Sequence, residues 1–491
     1  MRRLSAGGLV WAGFDGPAVP GPLLDGIARG RIGGLLLFAY RGNLRSRDAV
    51  RGMLREAADA ARRGGLPPVP VGVDQEGGAV VRIGYGAVFP SALAIAATGD
   101  PANAERVAGA VARGLRADGI AMNHAPVCDV NVEPRNPVIG TRSFGDEASD
   151  VARYCAAWVR GSEAAGVATS PKHFPGHGAT GYDTHHTTVD VPADRAVLEA
   201  RELVPFRAAF AAGATSVMTA HIRYPALDDG NIATLSPRIL GDLLRRELGF
   251  GGLAVTDSLD MSGLTQVETP ERVAARAVNA GIDAVMVTSG LDRQLETSEH
   301  LALGVAPARL REALVRAAAF RERFGIEVPD APFDDAPGRA LALEVAAASI
   351  THVGPPLPPL GGPIRVVLLP SGRRSPVEEL AQPEADFENA LRERLGSKVA
   401  FSAEGGAPDG EGPLVVCTSS ACFDPAQAER ARALLAGGGM LCALRSPYDA
   451  SLVPGVPALL TYGDVPVSLA ALADVLAGRA PLRGILPVRL P

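Results

Sequence analysis

Cysteine is scarce in this chain of 491 residues: there are five, Cys128, Cys155, Cys417, Cys422 and Cys442, an odd set with no Cys-x-x-Cys spacing. That excludes a disulfide framework and a zinc ribbon, and the five read as buried thiols. No apolar run comes near the roughly 18 residues that a membrane helix needs. No run of Lys or Arg forms a binding arm, and a formal charge of −6 gives no long-range attraction to phosphate backbones or anionic lipid. Nucleic acid and membrane are therefore not expected as partners. Low-complexity tracts are missing too. With 57 Gly and 40 Pro the chain has many connections between short elements, which excludes a coiled coil.

What is present is a repeated unit of strand, loop and helix. Apolar, β-rich runs at 8–13, 34–38, 69–73, 121–127, 167–171, 215–220, 253–256 and 283–287 predict eight strands. Amphipathic stretches at 46–63, 101–118, 150–165, 194–212 and 237–248 predict helices, mostly opened by Ser, Asp or Pro and closed near Gly. Eight such units over residues 1–330 fit an α/β fold of the closed (β/α)8 type; an open doubly wound sheet is the alternative. Residues 331–363 read as a linker, a short apolar helix followed by the stiff run Gly354-Pro-Pro-Leu-Pro-Pro-Leu-Gly-Gly-Pro363. The alternation resumes over residues 364–491. Strands are expected at 364–369, 399–402, 414–418, 440–444 and 458–462, and helices at 384–395, 425–436 and 467–477, a smaller α/β sandwich-like domain. Gly437-Gly-Gly439 lacks phosphate-loop spacing and reads as a helix end. Arg2 and Arg3 before the short run 4–14 resemble a weak signal peptide, but that run is needed as the first strand and no clear cleavage site follows. The expected location is cytoplasmic.

The chemistry-bearing residues gather where strands should end. Six of the eight His lie between His124 and His221. Asp74-Gln-Glu-Gly-Gly78 follows the third strand, Asn123 and His124 close the fourth, Lys172-His-Phe-Pro-Gly-His-Gly178 follows the fifth, His221 the sixth and Asp257 the seventh. A βα barrel turns all strand C-termini to one mouth, so these residues would converge there. Taken singly, an Asp at a strand end is usually a helix cap and a lone His a hydrogen-bonded structural residue. Five consecutive units carrying such residues are not what independent capping produces.

The run 172–178 followed by Asp183-Thr-His185 resembles family 3 glycoside hydrolases of the β-N-acetylglucosaminidase type. The resemblance extends to Val73-Asp-Gln-Glu-Gly-Gly78, Asn123-His-Ala-Pro-Val127 with Asp129-Val130, Arg142-Ser-Phe-Gly145 and Thr256-Asp-Ser-Leu-Asp-Met261, in the family's order, and to the tail Gly484-Ile-Leu-Pro-Val488. It implies Asp257 as the nucleophile of a retaining exo-acting enzyme, with a covalent glycosyl-enzyme, and His185 paired with Asp183 as acid/base. An Asp beside one ring nitrogen fixes the tautomer and favours imidazolium, which can protonate a leaving oxygen. His186 is a neighbouring competitor; the spacing from Asp183 favours His185. The resemblance also implies that Asp74, Arg82, Arg142, Lys172 and His173 hold the hydroxyls and N-acetyl group of a terminal sugar. The implied substrate is a small cell-wall-derived oligosaccharide or glycopeptide, as in peptidoglycan recycling, and no metal or other cofactor is called for. The Gly178-Ala-Thr-Gly-Tyr182 run is expected to form a loop that closes over the sugar. Three positions depart from the family pattern: Ala79 stands where Arg often follows Glu-Gly-Gly, Thr184 where Ser is usual, and Val189 where a Pro commonly follows the loop.

Other chemistries remain open at this level. His173, His177, Asp183, His185 and His186 lie within 14 residues, as a metal-dependent hydrolase would need, although Pro175-Gly176 prevents the helical i, i+4 pair of zinc proteases. A histidine acid/base carries no negative charge, so phosphate could replace water and make the enzyme a β-N-acetylglucosaminide phosphorylase. A β-glucosidase and a non-catalytic sugar-binding protein are the remaining rivals.

Overall fold

A computed structural model describes residues 5–181, 189–261, 264, 269–370, 383–403 and 406–491. Eight short parallel strands make one sheet: β1 (Val10–Gly13), β2 (Gly34–Leu36), β3 (Val71–Val73), β4 (Met122–Asn123), β5 (Ala168–Thr169), β6 (Ser216–Thr219), β7 (Leu253–Ser258) and β8 (Ala284–Val287). Their order, β5-β4-β3-β2-β1-β8-β7-β6, is that of a ring opened at one seam. The seam is bridged by the segment after β5. Met218 N–H donates to Pro171 O at 3.0 Å, Phe174 N–H to Met218 O at 2.8 Å and Ala220 N–H to Phe174 O at 2.8 Å. The fold is a (β/α)8 barrel.

Most strands are shorter than the apolar runs that announced them. The runs 121–127 and 167–171 shrink to two residues each, and both contain a proline, Pro126 and Pro171, that has no N–H for a ladder. Strand residues such as Leu35, Val71, Val217, Ala254 and Val285 are fully buried, as a parallel sheet covered on both faces requires. Inside the ring the indole of Trp11 lies against Gly34, where a Cβ would come within 2.3 Å of it. The helices begin where caps predict. Ser46 Oγ accepts from Ala49 N–H at the start of Arg47–Arg63; Asp100 accepts from Ala102 N–H at the start of Pro101–Asp118, which Gly119 ends at φ 89°. In the stretches 194–212 and 237–248 the helix widens to π-turns over Leu198–Glu202 and Arg238–Glu247, insertions that a 3.6-residue pattern does not reveal.

After the helix Ala336–Ser349 comes a second sheet: β9 (Thr351–Val353), β10 (Ile364–Leu368), β11 (Val399–Ser402), β12 (Leu414–Thr418), β13 (Met440–Ala443) and β14 (Ala458–Leu460), ordered β9-β14-β13-β12-β10-β11. Five strands are parallel. The sixth, β9, is an antiparallel edge strand inside the stretch expected to be linker, three residues hidden between a helix and the proline-rich run. One face of this sheet packs on the helices Pro383–Leu395 and Pro466–Leu476. The other packs on Pro425–Leu435 and on Leu93, Ala94 and Ala97 of a helix beside the barrel, so the two sheets share a core boundary. Gly438 and Gly439 turn the chain at φ 94° and 127° where the helix Pro425–Leu435 gives way to β13. Four cysteines are buried, with Cys417 and Cys442 opposite each other on β12 and β13. Cys422 differs from the expected buried thiol: it is only partly covered, and its Sγ donates to Ser446 Oγ at 3.2 Å. Among the described residues no helix is long and apolar enough to cross a membrane.

Candidate active site

The ring brings Asp74, at the end of β3, to Lys172, 98 positions later and just beyond β5. Lys172 Nζ stands 2.7 Å from Asp74 Oδ1 and 2.6 Å from Glu76 Oε1. Glu76 in turn takes both arms of Arg142, Nε at 2.8 Å and Nη2 at 2.8 Å, while Arg142 Nη1 donates to Val138 O at 3.1 Å. Arg82 Nη2 lies 3.9 Å from Asp74 Oδ2. Two carboxylates thus alternate with two buried cations, and Arg82 flanks the first. Burial pushes the Asp74 carboxyl up, but the charges of Lys172 and Arg82 and the hydrogen bond from Lys172 outweigh it and hold the group below the usual carboxylate range. For Glu76, burial is likewise outweighed, by Arg142 and Lys172, which hold it at about 2. Both carboxylates are charged at any pH near neutral, so the mouth offers fixed acceptors and forked donors to a polyol.

The turn over residues 172–178 is held from inside by Asp129. Its Oδ1 accepts from His173 N–H at 3.1 Å and His177 N–H at 2.7 Å, and its Oδ2 pairs with His173 Nδ1 at 2.7 Å. Asp129 therefore orients the His173 ring as well as the backbone. Tyr224 OH donates to Gly176 O at 2.5 Å, and a Cβ on Gly178 would overlap Val130 O at 1.9 Å, so the turn is clamped between strands. His177 is buried with Nδ1 2.9 Å from Thr180 Oγ1; burial, with the His173 ring beside it, brings its pKa down to about 4.

Asp257 lies on β7, partly exposed, and its Oδ1 accepts from Ser258 N–H at 2.7 Å. The segment behind it is braced. Asp260 accepts from Thr288 N–H at 2.6 Å, Ser289 N–H at 3.1 Å and Ser289 Oγ at 2.8 Å. His221 takes the structural role that a lone strand-end histidine usually has: its Nδ1 is 2.8 Å from Thr234 Oγ1 and its Nε2 3.1 Å from Ser258 O.

Of the residues singled out in the sequence, Asp74, Arg82, Arg142, Lys172 and His173 stand around this cluster and Asp257 on the same strand ends. Asp183, His185 and the neighbouring Thr184 and His186 lie outside the described residues. So does Tyr182 of the expected closing loop. The chain resumes at Val189–Asp190, which pairs with Ile222–Tyr224, so Val189 joins that strand where the family pattern has proline. Two residues had no assigned role in the sequence, Glu76 and Asp129. Both sit inside quoted motifs, yet only the geometry shows one bridging two cations and the other holding the turn. The second domain also reaches the mouth's rim. Asn131 Nδ2 donates to Tyr448 OH at 3.3 Å, and a narrow cleft of about 50 Å³ runs between Asn131, Ala79 and Arg142 on the barrel and Ser420, Arg445 and Tyr448 beyond it.

Comparison with known proteins bears on the family and the fold. Residues 24–321 match the glycosyl hydrolase family 3 N-terminal domain. The beta-N-acetylglucosaminidase/beta-glucosidase of Cellulomonas fimi is 31% identical over 479 residues, 86% of this chain and 83% of that protein. Beta-hexosaminidase A of Pseudoalteromonas piscicida is 33% identical over 370 residues, 68% of this chain but only 61% of that longer protein. The solved structure of a glycoside hydrolase family 3 beta-N-acetylglucosaminidase from Paenibacillus sp. str. FPU-7 aligns at a TM-score of 0.90 and 33% identity, over 99% of this chain and 98% of that one.

Proposed function

The chain belongs to glycosyl hydrolase family 3, and on that premise we propose that it is a retaining exo-β-N-acetylglucosaminidase acting on small cell-wall-derived oligosaccharides or glycopeptides in the cytoplasm, without a cofactor. The observation that carries the reading is the presence, in one barrel mouth, of a braced, partly exposed carboxylate, Asp257 on β7, and a buried array of alternating charges beyond β3, β4 and β5. In this reading Asp74, Arg82, Arg142, Lys172 and His173 grip the terminal sugar and set its anomeric carbon before Asp257. The Asp257 carboxylate attacks that carbon as the glycosidic bond breaks, and His185, oriented by Asp183, gives a proton to the departing oxygen. Water then takes the place of the leaving group. It loses a proton to His185, its oxygen bonds to the anomeric carbon, and Asp257 is released.

Hydrolysis of a chromogenic N-acetyl-β-glucosaminide beside the matching β-glucoside, with and without phosphate, tests this with the wild type, Asp257→Ala and His185→Ala. The expected result is preference for the N-acetyl substrate, loss of turnover in Asp257→Ala, and activity of His185→Ala retained only for activated leaving groups. Full activity of Asp257→Ala sinks the mechanism, preference for the plain glucoside sinks the substrate, and a sugar phosphate as the product converts the hydrolase into a phosphorylase.

A further inference from the structure

His124 follows β4 and is left unused by the mechanism above. Its backbone N–H donates to Val73 O at 2.8 Å, which ties it beside the end of β3. Its ring turns into the barrel and fills the space above Gly72, where a Cβ would stand 2.4 Å from Nε2. The side chain is buried, 2% exposed, and neither Nδ1 nor Nε2 has a hydrogen-bond partner among the described residues. The charged groups that act on it come from three strand ends: Asp74 and Glu76 beyond β3, Lys172 beyond β5 and Asp257 on β7. Burial brings the imidazole pKa down to about 4, so the ring is neutral at pH 7 and carries one donor and one acceptor.

Two idle nitrogens in a barrel interior are a cost to folding that an aromatic hydrocarbon of similar size would not incur. Its neighbours Asp74, Glu76, Lys172 and Arg142 are ions paired with one another. A neutral group that both gives and takes a hydrogen bond suits a hydroxyl, and it adds no charge beside Asp257. We propose that His124 is a substrate-binding residue of this site, whose ring nitrogen meets one hydroxyl of the sugar held by Asp74 and Lys172. The proposal rests on the glycosidase reading of the site.

The test compares the wild type with His124→Phe and His124→Gln, measuring kcat, KM and Tm on the chromogenic N-acetyl-β-glucosaminide and on its monodeoxy analogues. The phenylalanine variant is expected to melt at or above the wild-type temperature and to lose about tenfold in kcat/KM, the scale of one hydrogen bond in a site. The glutamine variant, which keeps a donor and an acceptor, recovers part of that loss. One deoxy analogue should lose about tenfold on the wild type and nothing further on the phenylalanine variant. Where the phenylalanine variant does not fold, the glutamine variant is read against the same analogues. Equal deoxy penalties in wild type and variant, or a variant kcat/KM within about twofold of wild type, overturn the proposal. If the wild type turns over no glycoside, the proposed function has failed; His124 is then judged by calorimetric binding of N-acetylglucosamine, and equal affinities in wild type and variant overturn it.

Discussion

The barrel and the second sheet are built from the same parallel strand and helix alternation, yet they bury different things at their strand ends. In the barrel, Asp74, Lys172, Glu76 and Arg142 form one chain of buried charge, with Asp257 on the same strand ends. In the second sheet the central strands carry Cys417 and Cys442 side by side, Asp449 accepts the N–H groups of Ala421 and Cys422 at 2.9 and 2.8 Å, and a single buried ion pair, Arg445 with Asp464 at 4.0 Å, stands among the described residues there. Burial raises the Asp449 pKa, whereas cations lower those of Asp74 and Glu76. The difference follows from closure. A ring aims eight strand ends at one axis, where opposite charges from distant units can meet and support one another. An open sheet spreads its ends along a line, so such contacts join only adjacent loops, as Asp449 after β13 does with the segment after β12 and Arg445 does with Asp464.

The contrast breaks first at Asp257. Replacing it with Ala is expected to lower kcat by about four orders of magnitude or more, while the melting temperature moves little, since the side chain is partly exposed. Steady-state rates and thermal melting of the same preparation check this.

Removing Glu76 breaks the charge chain itself. Glu76→Ala leaves Lys172 and Arg142 buried with less than their full share of negative charge, and an expected loss of about 3–5 kcal/mol in urea unfolding follows. A loss under about 1 kcal/mol would show that the cluster is far better hydrated than its burial implies.

Acid sharpens the comparison further. Burial holds His124 and His177 down at about 4 and pushes the Glu202 carboxyl, under the 172–178 turn, up to about 7. The two histidines take up protons in the unfolded chain before the folded one, so their contribution to stability is present above the ordinary histidine pKa and is lost as pH falls toward 4. Glu202 acts oppositely: its contribution is present below the ordinary carboxylate pKa and is lost as pH rises through 7. Glu202→Gln should therefore steepen the rise of stability with pH between about 5 and 7 by about 1.4 kcal/mol per unit relative to wild type. Unfolding free energies of both proteins across that range decide it; parallel curves would place the Glu202 titration elsewhere.

The smallest effect belongs to the boundary between the two regions. Tyr448→Phe removes the hydroxyl that accepts from Asn131 Nδ2 and is expected to cost about 1 kcal/mol, with KM on long-chain substrates the more sensitive readout than Tm.

Much of the architecture was legible in the chain because the barrel is assembled from local pieces. Val71–Val73 and Ser216–Thr219 are apolar runs bounded by turn residues, and Ser46 and Asp100 cap helices through bonds made within a few positions. What stayed hidden depended on neighbours remote in sequence. The three-residue β9 exists because β14 offers it an edge, and the strand runs that hold Pro126 and Pro171 shrink because proline has no N–H to give the ladder. At the site, the motifs named Asp74, Lys172 and Arg142. They did not tell that Glu76 lies between the last two, nor that Asp129 holds both His173 and His177.

By itself, then, the sequence determined the order of strands and helices, the placing of chemistry-bearing residues at strand ends and the likeness to family 3 glycoside hydrolases, since periodicity, turn residues and motifs are written in neighbouring positions. Only the tertiary structure decided which carboxylate meets which cation, how the 171–174 segment bridges the ring's seam, and that His124 lies neutral and unpartnered among the described residues. Those outcomes turn on the distance and dielectric between groups far apart in the chain, and the closing of the ring sets both.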